Sequence, residues 1–225
     1  MFPIFAIETA VLSSSLAIAV SEDEVAEISF PCDIMPASGI LPFFSELLEK
    51  SSLTPNDIET VVVDVGPGSF TGIRVGLAFA KGFCYGRGLG ILPLVSLEAV
   101  AYRQGRGGEI VCVALDARQE ELYFAAYLHK GVGVLPQELS PPLLIGSGEL
   151  SERFFSFDES ARCLVTDSSD IAESRGVRRE EMRALENIGA RRLAEVAALK
   201  FHNGATPQSV FEVVPFYIKN FEVTV

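Results

Sequence analysis

An α/β fold in two lobes is predicted for this chain of 225 residues, on three features of its sequence. Two segments, one opening near Pro3 and one near Ile110, each begin with three strand-like stretches and continue with alternating helix and strand. A glycine-rich linker, Gly105–Gly108, separates them. The run Thr60–Val65 is apolar on both faces, as in a central strand covered on two sides. The expected lobes are 1–104 and 109–225, with the C-terminal tail available to pack back on the first.

Each element has a local reason. Pro3–Thr9 is apolar, Ser14–Val20 alternates through Leu16, Ile18 and Val20, and Val25–Phe30 follows a charged turn. Short turns between them imply an antiparallel meander. A helix is expected over Ser38–Lys50, because Ile40, Leu41, Phe44, Leu47 and Leu48 share one face at a period of 3.6 residues. Pro42 falls in its first turn, where the missing N–H matters little. Thr54-Pro55-Asn56-Asp57 is a capped turn. After strand Thr60–Val65 come a helix over Ser69–Tyr85, a strand over Ile91–Val95 and a helix capped by Ser96. The second segment repeats the pattern with strands Ile110–Asp116, Glu121–His129 and Val132–Glu138. Gly146-Ser147-Gly148 opens a short helix, Leu164–Thr166 is a strand, and Glu186–Phe201 is a long helix. The repeat is one of topology; the two halves do not repeat in sequence.

Composition removes several function classes. With 48% hydrophobic residues the chain can bury a core. Its longest uncharged run, Thr9 to Ser21, falls short of the roughly 20 apolar residues of a membrane span. The apolar start lacks the basic residues of a secretory leader, so a cytoplasmic location without membrane contact is expected. Net charge is −12, which makes a primary nucleic-acid surface improbable because phosphate contacts dominate such affinity. Cys32, Cys84, Cys112 and Cys163 are far apart and sit among apolar neighbours, as buried thiols do. His129 and His202 stand alone, so no local zinc-ligand spacing exists and no metal site is expected.

The most informative stretch is Asp64-Val65-Gly66-Pro67-Gly68-Ser69-Phe70-Thr71-Gly72-Ile73-Arg74-Val75-Gly76. It reads as strand, glycine loop and helix start, but lacks the lysine of a phosphate loop and the third glycine of a dinucleotide loop. Within the helix, Gly72, Gly76 and Ala80 recur every four residues and leave one face nearly bare. A helix-interior glycine costs about 1 kcal/mol against alanine, so close approach by another backbone is implied. The remaining faces are apolar nearly all round. Either the helix is buried in a monomer's core, or it pairs with the first helix at a subunit seam; Phe43, off the main stripe, favours the seam.

These residues resemble the TsaB (YeaZ) family. Gly66-Pro67-Gly68-Ser69-Phe70-Thr71-Gly72-Ile73-Arg74 carries the likeness, with Gly76, Ala78, Ala80, Lys81 and Gly82 behind it. Ile4–Thr9 resembles the family's opening strand, Asp116-Ala117-Arg118 with Glu121 and Tyr123 its DAR…E.Y signature, and Pro215–Lys219 its terminal motif. The resemblance implies a two-lobed actin/hexokinase/Hsp70-like (ASKHA) fold and a cytoplasmic, non-catalytic subunit in making threonylcarbamoyladenosine (t6A) in tRNA. The implied partners are a catalytic TsaD-like subunit and a TsaE-like ATPase, with ATP, ADP and metal held by those subunits, and no cofactor in this chain. Contact with tRNA would come only through the complex, and the chain alone would be a monomer or homodimer. Ile40, Leu41, Phe44, Leu47, Leu48, Gly72, Ile73, Gly76 and Ala80 are the implied partner interface. An independent phosphotransferase or ATPase of the same fold is the alternative.

Two departures bear on residual chemistry. The family's first strand usually ends in Asp, where this chain has Glu8, and the histidine usual before the first helix is missing near Ala37 and Ser38. In this fold the first strand's acid, with Thr9 and Ser13–Ser15, would hold a metal–nucleotide. Glu8, Thr9, Asp116, Gly146 and Gly148 are therefore the residues expected to retain a vestigial nucleotide site, with no catalytic residue among them. Gly146-Ser147-Gly148 also suits a helix cap. The run Arg175, Arg178, Arg179, Arg183, Arg191 and Arg192 is interleaved with acids and reads as a solvated, ion-paired surface. Neither histidine has a nucleophile nearby in sequence, so the glycoprotease label once attached to the family finds no support here.

Overall fold

The computed structural model describes residues 2–11, 13–30 and 39–218. Ala37, Ser38, Cys32 and Lys219, named above, lie outside the described residues. The chain divides into two units, 1–99 with 187–216 and 100–186 with 217–225. Expected lobes ran through the linker at Gly105–Gly108; the division falls earlier, before Val100, and the last long helix returns to the first unit.

In the first unit, β1 (Ile4–Glu8), β2 (Ser14–Ala19) and β3 (Val25–Phe30) form the expected meander. Helix α1 (Ile40–Lys50), β4 (Thr60–Asp64), α2 (Phe70–Arg87), β5 (Ile91–Leu94) and α3 (Ser96–Gln104) follow. The sheet order is β3-β2-β1-β4-β5, antiparallel within the meander and parallel from β1 to β4 to β5. β1, β2 and β4 are buried along their whole length, which accounts for their apolar composition on both faces. Phe5 of β1 meets Phe44 of α1 with ring centroids 4.5 Å apart, and Phe79 and Phe83 of α2 close the same aromatic cluster.

The second unit lays down the same order again. β6 (Ile110–Asp116), β7 (Glu121–Leu128) and β8 (Gln137–Gly146) make the meander. Helix α4 (Leu150–Phe155), β9 (Arg162–Thr166), α5 (Ser169–Ser174) and β10 (Met182–Ala184) complete it. The sheet reads β8-β7-β6-β9-β10, so first, second, third, fourth and fifth strands occupy the same places as in the first unit. The duplicated α/β architecture expected from the sequence is the one found. Its third strand is displaced, however, from Val132–Glu138 to β8. Gly131 and Gly133 take φ of 118° and 76°, and Val132 is 95% exposed, so that stretch is a turn. Pro141 and Pro142 hide the strand pattern, and they are tolerated because β8 lies at an edge.

The last helix, α6 (Gly189–His202), buries Ala190, Leu193, Ala194, Val196 and Ala197, and packs on β1 and β2. Ser15 accepts the N–H of Ala190 at 2.7 Å, satisfying one of the helix's free donors. Arg191 reaches back to the Val25 carbonyl at the β3 edge, at 2.5 Å. Beyond α6, Gln208 pairs both ways with Ile91 on the outer edge of β5. No helix among the described residues is long and apolar enough to cross a membrane.

Candidate partner-facing helices and the closed end of the first strand

α1 and α2 carry the residues expected to meet a partner, and nearly all of them face inward. Ile40, Phe44, Leu47 and Leu48 of α1, and Ile73, Gly76 and Ala80 of α2, are buried in the unit's own core. A Cβ on Gly72 would overlap the Thr9 carbonyl oxygen, and one on Gly76 would overlap the Thr9 hydroxyl. Thr9 donates that hydroxyl to the Gly72 carbonyl at 2.8 Å. The bare Gly72–Gly76–Ala80 face is thus taken by this chain's own β1, and the seam expected there is corrected. The sequence spacing reported a close backbone, but the backbone is internal. Phe43 is likewise engaged at home, stacked on Phe30 with centroids 4.5 Å apart. Of the nine residues expected at the interface, Leu41 alone is open, at 58% exposure.

A second bare stripe runs along the outer side of α2. Ala78, Gly82 and Gly86 are exposed and again recur every four residues. A Cβ on Gly82 or Gly86 would meet nothing within 4 Å. Tyr85 beside them is 69% exposed and meets the edge of Phe211, itself 78% exposed. Sequence reading passed over this stripe because two interleaved small-residue stripes occupy one helix, and the inner one began at the more conspicuous glycine loop. Ser69 caps α2 by accepting the Gly72 N–H at 3.2 Å, and Arg74 lies 3.6 Å over the Phe70 ring.

At the C-terminal ends of β1 and β4 two acids lie side by side. The pairing of Ile7 with Val63 sets Glu8 beside Asp64, and both are fully buried. Glu8 Oε1 accepts the N–H groups of Ala10 at 2.7 Å and Val11 at 2.9 Å. Asp64 accepts the Gly66 N–H at 2.7 Å and the Ser96 hydroxyl at 2.7 Å. Ser96, expected to cap α3, stands at its first position and donates its hydroxyl proton to Asp64. Burial, and then the neighbouring Asp64 charge, push the Glu8 carboxyl well above the usual carboxylate range. Burial also raises Asp64, against the donors that hold its charged form.

The other residues expected at a vestigial nucleotide site belong to the second unit. Asp116 ends β6, accepts the Arg118 N–H at 2.8 Å, and its own N–H donates to Asp167 at 2.9 Å. Arg118, Gln119 and Glu120 follow with φ of 67°, 57° and 59°, a left-handed turn of three non-glycine residues. Gly146 donates its N–H to Glu149 at 3.1 Å, starting the short 3-10 turn Ser147–Glu149. The cap reading of Gly146-Ser147-Gly148 holds.

Four of the six arginines in the run make ion pairs, while Arg175 donates to the Ser147 hydroxyl and Arg191 to the Val25 carbonyl. Arg178 binds Glu181, Glu159 and Glu180; Arg179 binds Glu173; Arg183 binds Glu109; Arg192 binds Glu195. Arg178 and Arg162 together hold the Glu181 carboxyl down to about 2. Cys84, Cys112 and Cys163 are free and buried, with burial raising the Cys84 thiol to about 12 and the Cys163 thiol to about 11. Among the described residues, no three His, Cys, Asp or Glu side chains converge as metal ligands.

Known proteins resemble this chain at two levels. A family model described as TsaD, tRNA N6-adenosine threonylcarbamoyltransferase, matches residues 37–135. The TsaB protein of Haemophilus influenzae, described as a tRNA threonylcarbamoyladenosine biosynthesis protein, is 38% identical over 95 residues, 41% of this chain and 40% of that one. The Escherichia coli protein of the same description is 33% identical over 135 residues, 58% of this chain and 57% of that one. The matched stretches span about half the length of these curated relatives. Two solved Pseudomonas aeruginosa structures share the fold: an uncharacterized protein with similarity to peptidase YeaZ, and YeaZ itself. The first has a TM-score of 0.84 at 20% identity, over 97% of this chain and 100% of the other. The second has a TM-score of 0.80 at 21% identity, over 95% and 98%.

Proposed function

We propose that this chain, which resembles the TsaB (YeaZ) proteins in part of its sequence and in fold, is a cytoplasmic, non-catalytic subunit of the machinery that makes threonylcarbamoyladenosine in tRNA. It pairs with a TsaD-like transferase subunit and activates it. A TsaE-like ATPase joins the pair, and nucleotide and metal are held by those partners. tRNA is reached through the complex, consistent with the net charge of −12.

The observation that carries the pairing is the outer face of α2. Ala78, Gly82 and Gly86 leave a strip where a second helix can approach closely, and the exposed Tyr85 on the same helix offers an apolar anchor. The docking surface is this outer strip, in place of the inner residues first expected. Reconstitution tests the reading. The purified chain, a TsaD-like subunit and a TsaE-like ATPase from the same cell are incubated with unmodified tRNA, ATP and the threonylcarbamoyl donor. Modification that needs this chain, with no ATP hydrolysis or tRNA modification by the chain alone, supports the proposal. Full modification in its absence overturns it.

A further inference from the structure

A fold of this kind is expected to hold a metal-bound nucleotide at the acid ending its first strand, and the residues present do not fit one. Glu8 and Asp64 have no exposed surface, and among the described residues neither makes an ion pair. Of the other oxygens available there, the Thr9 hydroxyl is given to Gly72 and Ser15 is taken by Ala190. A metal would need ionised oxygens with an open side, and none is offered.

The hydrogen bonds say what the pair does instead. Parallel neighbours in a sheet lie about 4.8 Å apart, so the two carboxyls at the ends of β1 and β4 meet. Asp64 is surrounded by donors, the Gly66 N–H and the Ser96 hydroxyl, which suit an ionised group. Glu8 Oε1 takes two N–H groups, while Glu8 Oε2 is buried with no donor. A second bare charge beside the first is far costlier to bury than a protonated carboxyl. A proton on Oε2 finds its acceptor in Asp64. We propose that Glu8 and Asp64 form a closed carboxyl–carboxylate lock, with Glu8 donating the single shared proton to Asp64, and that this lock stands where a metal–nucleotide site would otherwise be.

The lock has a mechanical task. By holding the N–H groups of Ala10 and Val11, it fixes the turn after β1 against which α2 begins. Ser69 donates its N–H to the Ala10 carbonyl at 2.7 Å, and Gly68 sits directly against that carbonyl. Glu8 is thus a positioning residue for the helix whose outer face was described above.

Three variants of the full chain, measured by thermal unfolding and by calorimetric titration with magnesium-ATP, test this. Glu8→Gln keeps an acceptor for Ala10 and Val11 and a donor for Asp64, so its midpoint should stay within about 2 °C of the parent. Asp64→Asn places an amide donor among donors, and Glu8→Asp is one methylene too short to serve both sides. Each should unfold roughly 5–10 °C lower, as expected when buried polar groups lose their partners. The reverse order, with Asp64→Asn silent and Glu8→Gln damaging, would place the proton on the wrong acid and sink the assignment. Micromolar magnesium-ATP binding by the parent that Glu8→Gln removes would overturn the lock altogether.

Discussion

α2 bears two strips of small residues, and they differ in what lies against them. On the inner side Gly72 and Gly76 touch Thr9 and Ile7 so closely that no Cβ could be added. On the outer side Gly82 and Gly86 face open space. Inside one helix the same residue type therefore has two causes. The inner glycines are required by this chain's own first strand. The outer ones have no internal cause, and each sacrifices helix stability that alanine would restore. A run of glycines at helical spacing reports that a backbone comes near without saying which chain it belongs to.

The largest expected effect is on the inner side. Gly72→Ala should lower stability by about 3 kcal/mol or more, roughly 10 °C in thermal midpoint, because the added methyl collides with a backbone carbonyl that cannot swing away. A midpoint unchanged in that variant would mean that β1 and α2 are not packed as described. Next in size is Gly82→Leu. Folding should be unaffected, since the side chain points to open space, while affinity for a TsaD-like subunit should fall about tenfold to a hundredfold by overpacking the seam. Light scattering and a pull-down read this out; equal loss of folding and association would show that the outer strip is internal too. The smallest effect has the opposite sign to the first. Gly82→Ala should raise stability by up to about 1 kcal/mol, or 2–4 °C, through helix propensity alone. One substitution type with opposite outcomes at positions 72 and 82 would define the two faces.

Much of the architecture was legible from periodicity. The apolar stripe of α1 identifies a helix because one face of it meets the core, and the alternation in Ser14–Val20 identifies a strand even though β2 is buried on both faces. β8 escaped, since two prolines and a polar first half erase the alternation that an edge strand does not need. β10, three residues long, is set by parallel pairing with β9 rather than by any pattern of its own. At the site, the glycine loop pointed to α2, whose Gly72 and Gly76 lie against this chain's own Thr9 and Ile7. The pairing of Glu8 with Asp64 joins residues from two strands that only the sheet order makes neighbours. The role of Ser96 followed from that same order, since a serine before a helix reads locally as a cap.

Sheet edges, described above only as places in a strand order, bear on how the protein behaves when concentrated. An unprotected edge offers free N–H and C=O groups to the next molecule and can seed fibrous stacking. Each of the four edges here is blunted differently. Gln208 pairs with Ile91 on β5, Arg191 occupies a carbonyl of β3, Pro141 and Pro142 deny donors along β8, and β10 is only three residues long. Duplicating a sheet doubles the number of such margins, and this chain has closed the second pair by means unrelated to the first. The two halves thus cover their sheet margins with different residues and different kinds of contact.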